Sequence, residues 1–198
     1  MASGLGFLNL LGKTQHALKT LLVPTILGSV AGAYLLLTTS NAAFRVVVPG
    51  LILLASLLLF FQPRIKAMVG HSRRLPTWVG MLLQFVVAAY GGYFGAGMGI
   101  MMLACFALYI DGTVHELNGV KNFLAVVINI VCSGIFFLQR GLVLPMPALA
   151  LMIGGVIGGF VAARVSQRIH PDRLRPVIAV YGFVMAGYFA WRAFGLGA

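Results

Sequence analysis

Five stretches of the chain are mainly apolar over about the 20 residues that a helix needs to cross a bilayer core. They are Leu18–Leu37, Phe44–Gln62, Asn118–Leu138, Leu144–Ala163 and Leu174–Phe194. Polar residues collect between them, so the pattern predicts five crossing helices. Pro24, Pro145, Pro147 and Pro176 fall near the expected helix starts, where a missing N–H is tolerated. No signal peptide is expected, because the first 12 residues carry no positive charge and no small-residue cleavage pattern follows.

A sixth apolar segment, Trp78–Ile110, is too long for one crossing. Its 33 residues are nearly free of charge. As one straight helix they would run about 50 Å, against a hydrocarbon core of about 30 Å. The middle reads Tyr90-Gly91-Gly92-Tyr93-Phe94-Gly95-Ala96-Gly97-Met98-Gly99. Each glycine inside a helix costs about 1 kcal/mol. The segment is therefore expected to form two half-helices, Trp78–Ala89 and Ile100–Ile110, joined by an unwound glycine link within the membrane.

Composition sets the class. The chain of 198 residues is 61% hydrophobic and 9% charged, with a mean hydropathy of +1.01. A soluble domain would carry about 25% charged residues. Disorder is excluded by the same values, and two cysteines cannot build a disulfide scaffold. The expected fold is an all-α polytopic membrane helix bundle with a glycine-broken helix.

Charge then bears on partners and topology. Lys and Arg number 14 against 3 Asp and Glu, a net charge of +11. The cations do not line one face, as a nucleic-acid surface would require. They cluster between apolar runs: Lys13 and Lys19; Arg64, Lys66, Arg73 and Arg74; Arg164, Arg168, Arg173 and Arg175. Membrane loops on the cytoplasmic side have this pattern. The expected partner is the lipid bilayer, not nucleic acid. If Trp78–Ile110 turns back as a hairpin, or crosses twice, the two large clusters share a face. A single crossing would separate them.

The sequence also carries an internal repeat. A shift of 127 positions puts Gly28 on Gly155, Gly32 on Gly159 and Pro49 on Pro176 without a gap. Both copies hold a small-xxx-small pattern, which lets helix backbones pack closely in a membrane. Residues 1–70 read as the C-terminal part of a first transmembrane repeat and 76–198 as a second, within one membrane domain. The counterpart of the broken segment would fall before Met1, so about the first 50 residues of a two-repeat chain are expected to be missing. A fragment, a mis-assigned start and a shortened paralogue all fit. With the hairpin the copies run in opposite directions, as in secondary transporters that bind substrate at the midplane.

Candidate chemistry centres on the glycine link. Unwound backbone survives in a membrane only when buried in protein or lining a cavity. Free N–H groups and the positive end of a helix dipole near Gly95, Gly97 and Gly99 make an anion site. The glycines also fit a tight helix crossing. Asn118, Asn122, Asn129 and Ser133 fall within about 60° of helical arc, flanked by Lys121. Lys121, Asn118 and Asn122 could hold an anion; they could equally glue helices, with Lys121 snorkelling to the interface. Gln84, Tyr90 and Tyr93 could line the same cavity; the two tyrosines could equally be packing or interface residues. Cys105 and Cys132 read as inert. His16, His71, His115 and His170 lack ligand spacing, and Asp111, Glu116 and Asp172 lie in loops. No metal, cofactor or catalytic group is expected, and no nucleophile–base pair points to an enzyme.

Three stretches resemble the TauE/SafE family of membrane permeases. They are Tyr90–Ile100, Asn118-Gly-Val-Lys-Asn122, and Gly154-Gly-x-x-Gly-Gly-x-x-Ala-Ala-Arg164, in that order. Leu21–Arg64, with Gly28, Gly32 and Phe60-Phe-Gln-Pro63, is similar to that family's first half. The resemblance implies a multi-pass protein of the bacterial inner membrane that transports small anions, with sulfite, sulfonates and related organosulfur compounds as cargo. Ala104 stands about where the family often has a proline. The alternative expectation is a non-transporting truncated subunit or relic that packs against a partner. A homo-oligomer is left open.

Overall fold

The computed structural model describes residues 2–68, 75–110, 113–139, 144–166 and 171–193. They form seven helices: α1 (Ala2–Thr38), α2 (Asn41–Met68), α3 (Thr77–Tyr93), α4 (Met98–Tyr109), α5 (Val114–Leu138), α6 (Pro145–Ser166) and α7 (Pro171–Ala193). Within them Leu18–Thr38, Asn41–Ile65 and His115–Leu138 are long and apolar enough to cross a membrane. Met98–Tyr109 is a shorter apolar helix, and α6 is apolar over Pro145–Val161.

Helix boundaries run past the apolar stretches. α1 begins at Ala2 and continues through Pro24, and α7 carries Pro176 inside it. Pro24 and Pro176 therefore do not mark helix starts. Hydropathy measures how much of a helix is apolar; backbone hydrogen bonding carries the helix on through flanking polar residues. Pro145 does open α6.

The core lies among α1, α3, α4 and α5. Leu21, Val87, Ala88, Met102, Phe106, Leu117, Leu124 and Ile128 are buried in one cluster. α1 and α3 run parallel and almost touch. A Cβ at Gly28 would collide with the carbonyl oxygen of Phe85, and one at Gly32 with that of Ala89. This is the close approach that small-xxx-small spacing allows. Between the same helices, Gln84 Nε2 donates to Thr25 Oγ1 at 2.9 Å, and Thr25 Oγ1 donates to Leu21 O at 2.6 Å.

α3 and α4 fold back on each other. The Leu75 N–H, just before α3, donates to Leu108 O near the end of α4, at 3.2 Å. The Tyr109 ring packs on Gly80, where a Cβ would lie 2.6 Å from it. The turn, Phe94–Gly97, sits beside Ala55 and Leu58, close to the centre of the apolar stretch of α2.

α2 and α7 form an antiparallel pair. Gly182 receives Ser56, and Phe60 meets Phe183 with ring centroids 6.5 Å apart. The C-terminal end of α2, carrying Arg64, and the start of α7 thus lie at one end of the bundle. α6 is exposed along 151–161, and Cβ atoms at Gly154, Gly155, Gly158 and Gly159 would meet nothing within 4 Å.

Candidate functional site

The five glycines of the block divide into three roles. Gly91 and Gly92 stay helical and make room for neighbours. A Cβ at Gly92 would lie 2.6 Å from Ser29 O, and one at Gly91 2.7 Å from Met98 Sδ. Gly95 and Gly97 form the turn, with φ of +78° and +76°. That left-handed backbone is open to glycine at no steric cost. Gly99 lies in the first turn of α4, beneath the side chain of Lys121.

Because Gly91 and Gly92 serve packing, the first helix reaches Tyr93 instead of stopping at Ala89, and the second starts at Met98 instead of Ile100. The Tyr90 hydroxyl closes the turn by donating to Ala96 O at 2.6 Å. The Tyr93 ring leaves the turn sideways and packs on Phe44, 6.1 Å between centroids.

The start of α4 is rich in available donors. Gly97 caps it with no side-chain hydrogen bond. Met98 N–H donates to Gly95 O, and Ile100 and Met101 N–H both donate to Gly97 O. Among the described residues no backbone acceptor takes the N–H groups of Ala96, Gly97 or Gly99. Those of Gly97 and Gly99 belong to the first turn of α4, at the positive end of its dipole, and that of Ala96 lies just before it.

Lys121 adds a full charge to that end. Its Cδ lies 3.2 Å, and its Cε 3.8 Å, from where a Cβ at Gly99 would stand. Its ammonium donates to Asn118 Oδ1 at 2.9 Å, one turn back on α5. α5 is started by a capping box. Glu116 N–H donates to Thr113 Oγ1 at 3.3 Å, and Thr113 N–H returns the bond to Glu116 Oε2 at 2.8 Å. This reciprocal pair fixes where the helix begins, and hence which face carries Asn118 and Lys121.

The polar stripe on α5 does not act as one surface. Asn118 and Lys121 sit half-buried against α4, whereas Asn122, Asn129 and Ser133 are exposed. Asn129 Nδ2 donates to Ala125 O of its own helix at 2.8 Å. Gln84 is not at the link: it is fully buried between α1 and α3, with Oε1 lacking a partner. Its companions Thr25 and Ser29 were missed by sequence reasoning. The available signal was that residues 25, 28, 29, 32 and 33 share one helical face and are all small. Of the packing glycines, Gly28 and Gly32 are in tight contact, and Gly155 and Gly159 face open space. Cys105 and Cys132 are free thiols. Among the described residues no group of His, Cys, Asp or Glu could hold a metal ion.

Comparison with known proteins gives the lineage. A Haemophilus influenzae protein named "Probable membrane transporter protein" is 28% identical over 170 residues, which is 83% of this chain and 64% of that relative. The chain thus spans just under two thirds of the relative's length. No solved structure matches it. The match to the family described as sulfite exporter TauE/SafE runs from residue 5 to residue 189, the α3–α4 turn and the Lys121 helix included, and the chain belongs to that family.

Proposed function

We propose that the chain is a membrane permease for small oxyanions of the sulfite and sulfonate type, in a bacterial inner membrane. The substrate anion sits at the start of α4. The N–H groups of Ala96, Gly97 and Gly99 donate to its oxygens, Lys121 balances its charge, and Asn118 holds the Lys121 ammonium in place. Gly95 contributes by permitting the turn; Asn122, exposed on α5, stays a candidate from sequence alone.

One observation carries this reading: Lys121 lies across Gly99 at the N-terminus of α4. An ammonium group and the positive end of a helix dipole repel each other. An anion between them turns that repulsion into two attractions, and in low dielectric each is worth more than in water. The glycine turn lies beside the centre of α2, so the site falls near mid-depth of the apolar layer. We read Thr77–Tyr109 as a discontinuous, re-entrant hairpin of the second of two inverted repeats. Substrate sites in transporters of that plan lie at such breaks. Transport follows if the hairpin moves against α2, opening the site alternately to each side.

The test is sulfite or methanesulfonate flux in proteoliposomes. Wild-type protein should accelerate flux over empty vesicles. Lys121→Ala and Gly97→Leu should abolish most of the gain while the protein still inserts. Unchanged flux in both variants removes the site.

A second reading rests on α6. Its exposed face, with Gly155 and Gly159 bare, suits a further helix packed against it. In that reading the chain is a non-transporting subunit that completes a larger assembly. Cysteine cross-linking from Gly155→Cys in native membranes distinguishes the two. Capture of another protein together with absent flux favours the subunit.

A further inference from the structure

We propose that the cleft between the start of α2 and the end of α7 binds the phosphate of an anionic phospholipid in the leaflet opposite the basic loops. The cleft has a volume of about 370 Å³ and is lined by Phe44, Arg45, Val48, Phe189, Arg192 and Ala193. Two arginines from distant parts of the chain thus line one cleft together with four apolar residues.

Charge makes this arrangement costly without a ligand. The chain has three acidic side chains, Asp111, Glu116 and Asp172. Glu116 is held in the capping box of α5. Asp172 stands at the far end of α7, about 30 Å along the helix from Arg192. Asp111 is outside the described residues, in the connection from α4 to α5. Glu116 is thus engaged on α5, and position 172 lies at the opposite end of α7 from the pair. Arg192 instead leans over the Tyr188 ring, 6.0 Å from its centroid.

Topology sharpens the point. α2 and α7 are antiparallel, so Arg45 and Arg192 lie at the end opposite Arg64 and the start of α7. Cation-rich loops stay on the cytoplasmic side. Arg45 and Arg192 are therefore cations on the side that the rule depletes, and they sit together. Depth agrees with a headgroup. Arg45 is four residues into the apolar stretch that begins at Asn41. Tyr188 and Trp191, 46% and 52% exposed, stand beside Arg192, as aromatic residues do at the headgroup level. A lipid fits better than a free ion because the rest of the lining is apolar. The guanidinium forks take the phosphate oxygens, and the first acyl methylenes lie on Phe44, Val48 and Phe189.

The experiment uses the purified chain in nanodiscs of mixed phosphatidylglycerol and phosphatidylcholine, with retained lipid counted by native mass spectrometry. Wild type should retain phosphatidylglycerol over phosphatidylcholine at least fivefold. Arg45→Gln with Arg192→Gln should bring that ratio to near one. Arg45→Lys with Arg192→Lys keeps the charge and loses the forks, so it should retain an intermediate ratio and guards against a misfolded Gln variant. Inorganic phosphate added to phosphatidylcholine nanodiscs should leave the melting temperature unchanged, whereas phosphatidylglycerol should raise it by several degrees. Equal retention in wild type and both variants overturns the proposal. So does a phosphate shift as large as the lipid shift, which would make the cleft a small-ion site.

Discussion

The side chain of Lys121 crosses Gly99 so closely that a Cβ there would lie 3.2 Å from Lys121 Cδ. Residue 99 thus controls where the charge of α5 meets the start of α4. Gly99→Ala should push the flexible lysine stem aside and lower transport only a few-fold. Gly99→Val should displace it fully. Lys121→Ala should lose about tenfold to a hundredfold in flux at low substrate, the value of a charge-assisted hydrogen bond of about 1.5–3 kcal/mol. Lys121→Arg should recover part of it. Initial rates of sulfite flux at low and saturating concentrations separate binding from turnover.

Gly97 gives a different expectation, because space is not its constraint. A Cβ there would stand 3.5 Å from Ala55 Cα, an ordinary contact, but φ is +76°. A left-handed conformation costs an ordinary L-residue about 1–2 kcal/mol. Asn tolerates it best. Gly97→Asn should therefore retain more stability than Gly97→Ala, although Asn is larger, and Gly97→Val should be worst. Melting in detergent ranks the three. The reverse order between Asn and Ala would show that steric room decides.

The break between α3 and α4 was legible because a 33-residue apolar run cannot be one crossing, and glycine is the residue that interrupts it. Its edges were not. Composition does not distinguish a glycine kept for close packing, such as Gly92 against Ser29 O, from one kept for positive φ, such as Gly95. That difference depends on which helix lies opposite. Likewise, the arc containing Asn118, Asn122 and Asn129 was readable from spacing. Only the neighbours of α5 determine that Asn118 and Lys121 are half-buried while Asn122 and Asn129 are exposed. Gln84 was assigned toward the link for the same reason: a lone amide in an apolar run states that it must be enclosed, but not by what.

The Gln84–Thr25 bond predicts unequal effects of its two partners. Thr25→Val leaves a fully buried amide without its acceptor, which costs about 1–3 kcal/mol. Gln84→Met removes the amide, including Oε1, which already lacks a partner, and fills similar volume, so its cost should stay under about 1.5 kcal/mol. The double variant should melt above Thr25→Val alone. Melting temperatures of the three variants in one detergent provide the cycle; additive losses would remove the coupling.

Gly32 and Gly159, which a shift of 127 positions aligns, should respond in opposite ways to the same substitution. At Gly32 an added methyl collides with the Ala89 carbonyl, part of the rigid backbone of α3. The two helices would have to separate, and overpacking of this kind costs about 1–3 kcal/mol. Gly32→Ala should lower the melting temperature and weaken the α1–α3 contact that supports the whole hairpin. At Gly159 the methyl meets nothing within 4 Å, and alanine favours the helix by about 1 kcal/mol over glycine. Gly159→Ala should thus be neutral or stabilising in the isolated chain. If it instead destabilises the protein in native membranes while leaving the purified chain unharmed, another helix covers that face of α6 there, and the two copies of the small-xxx-small pattern do the same physical work.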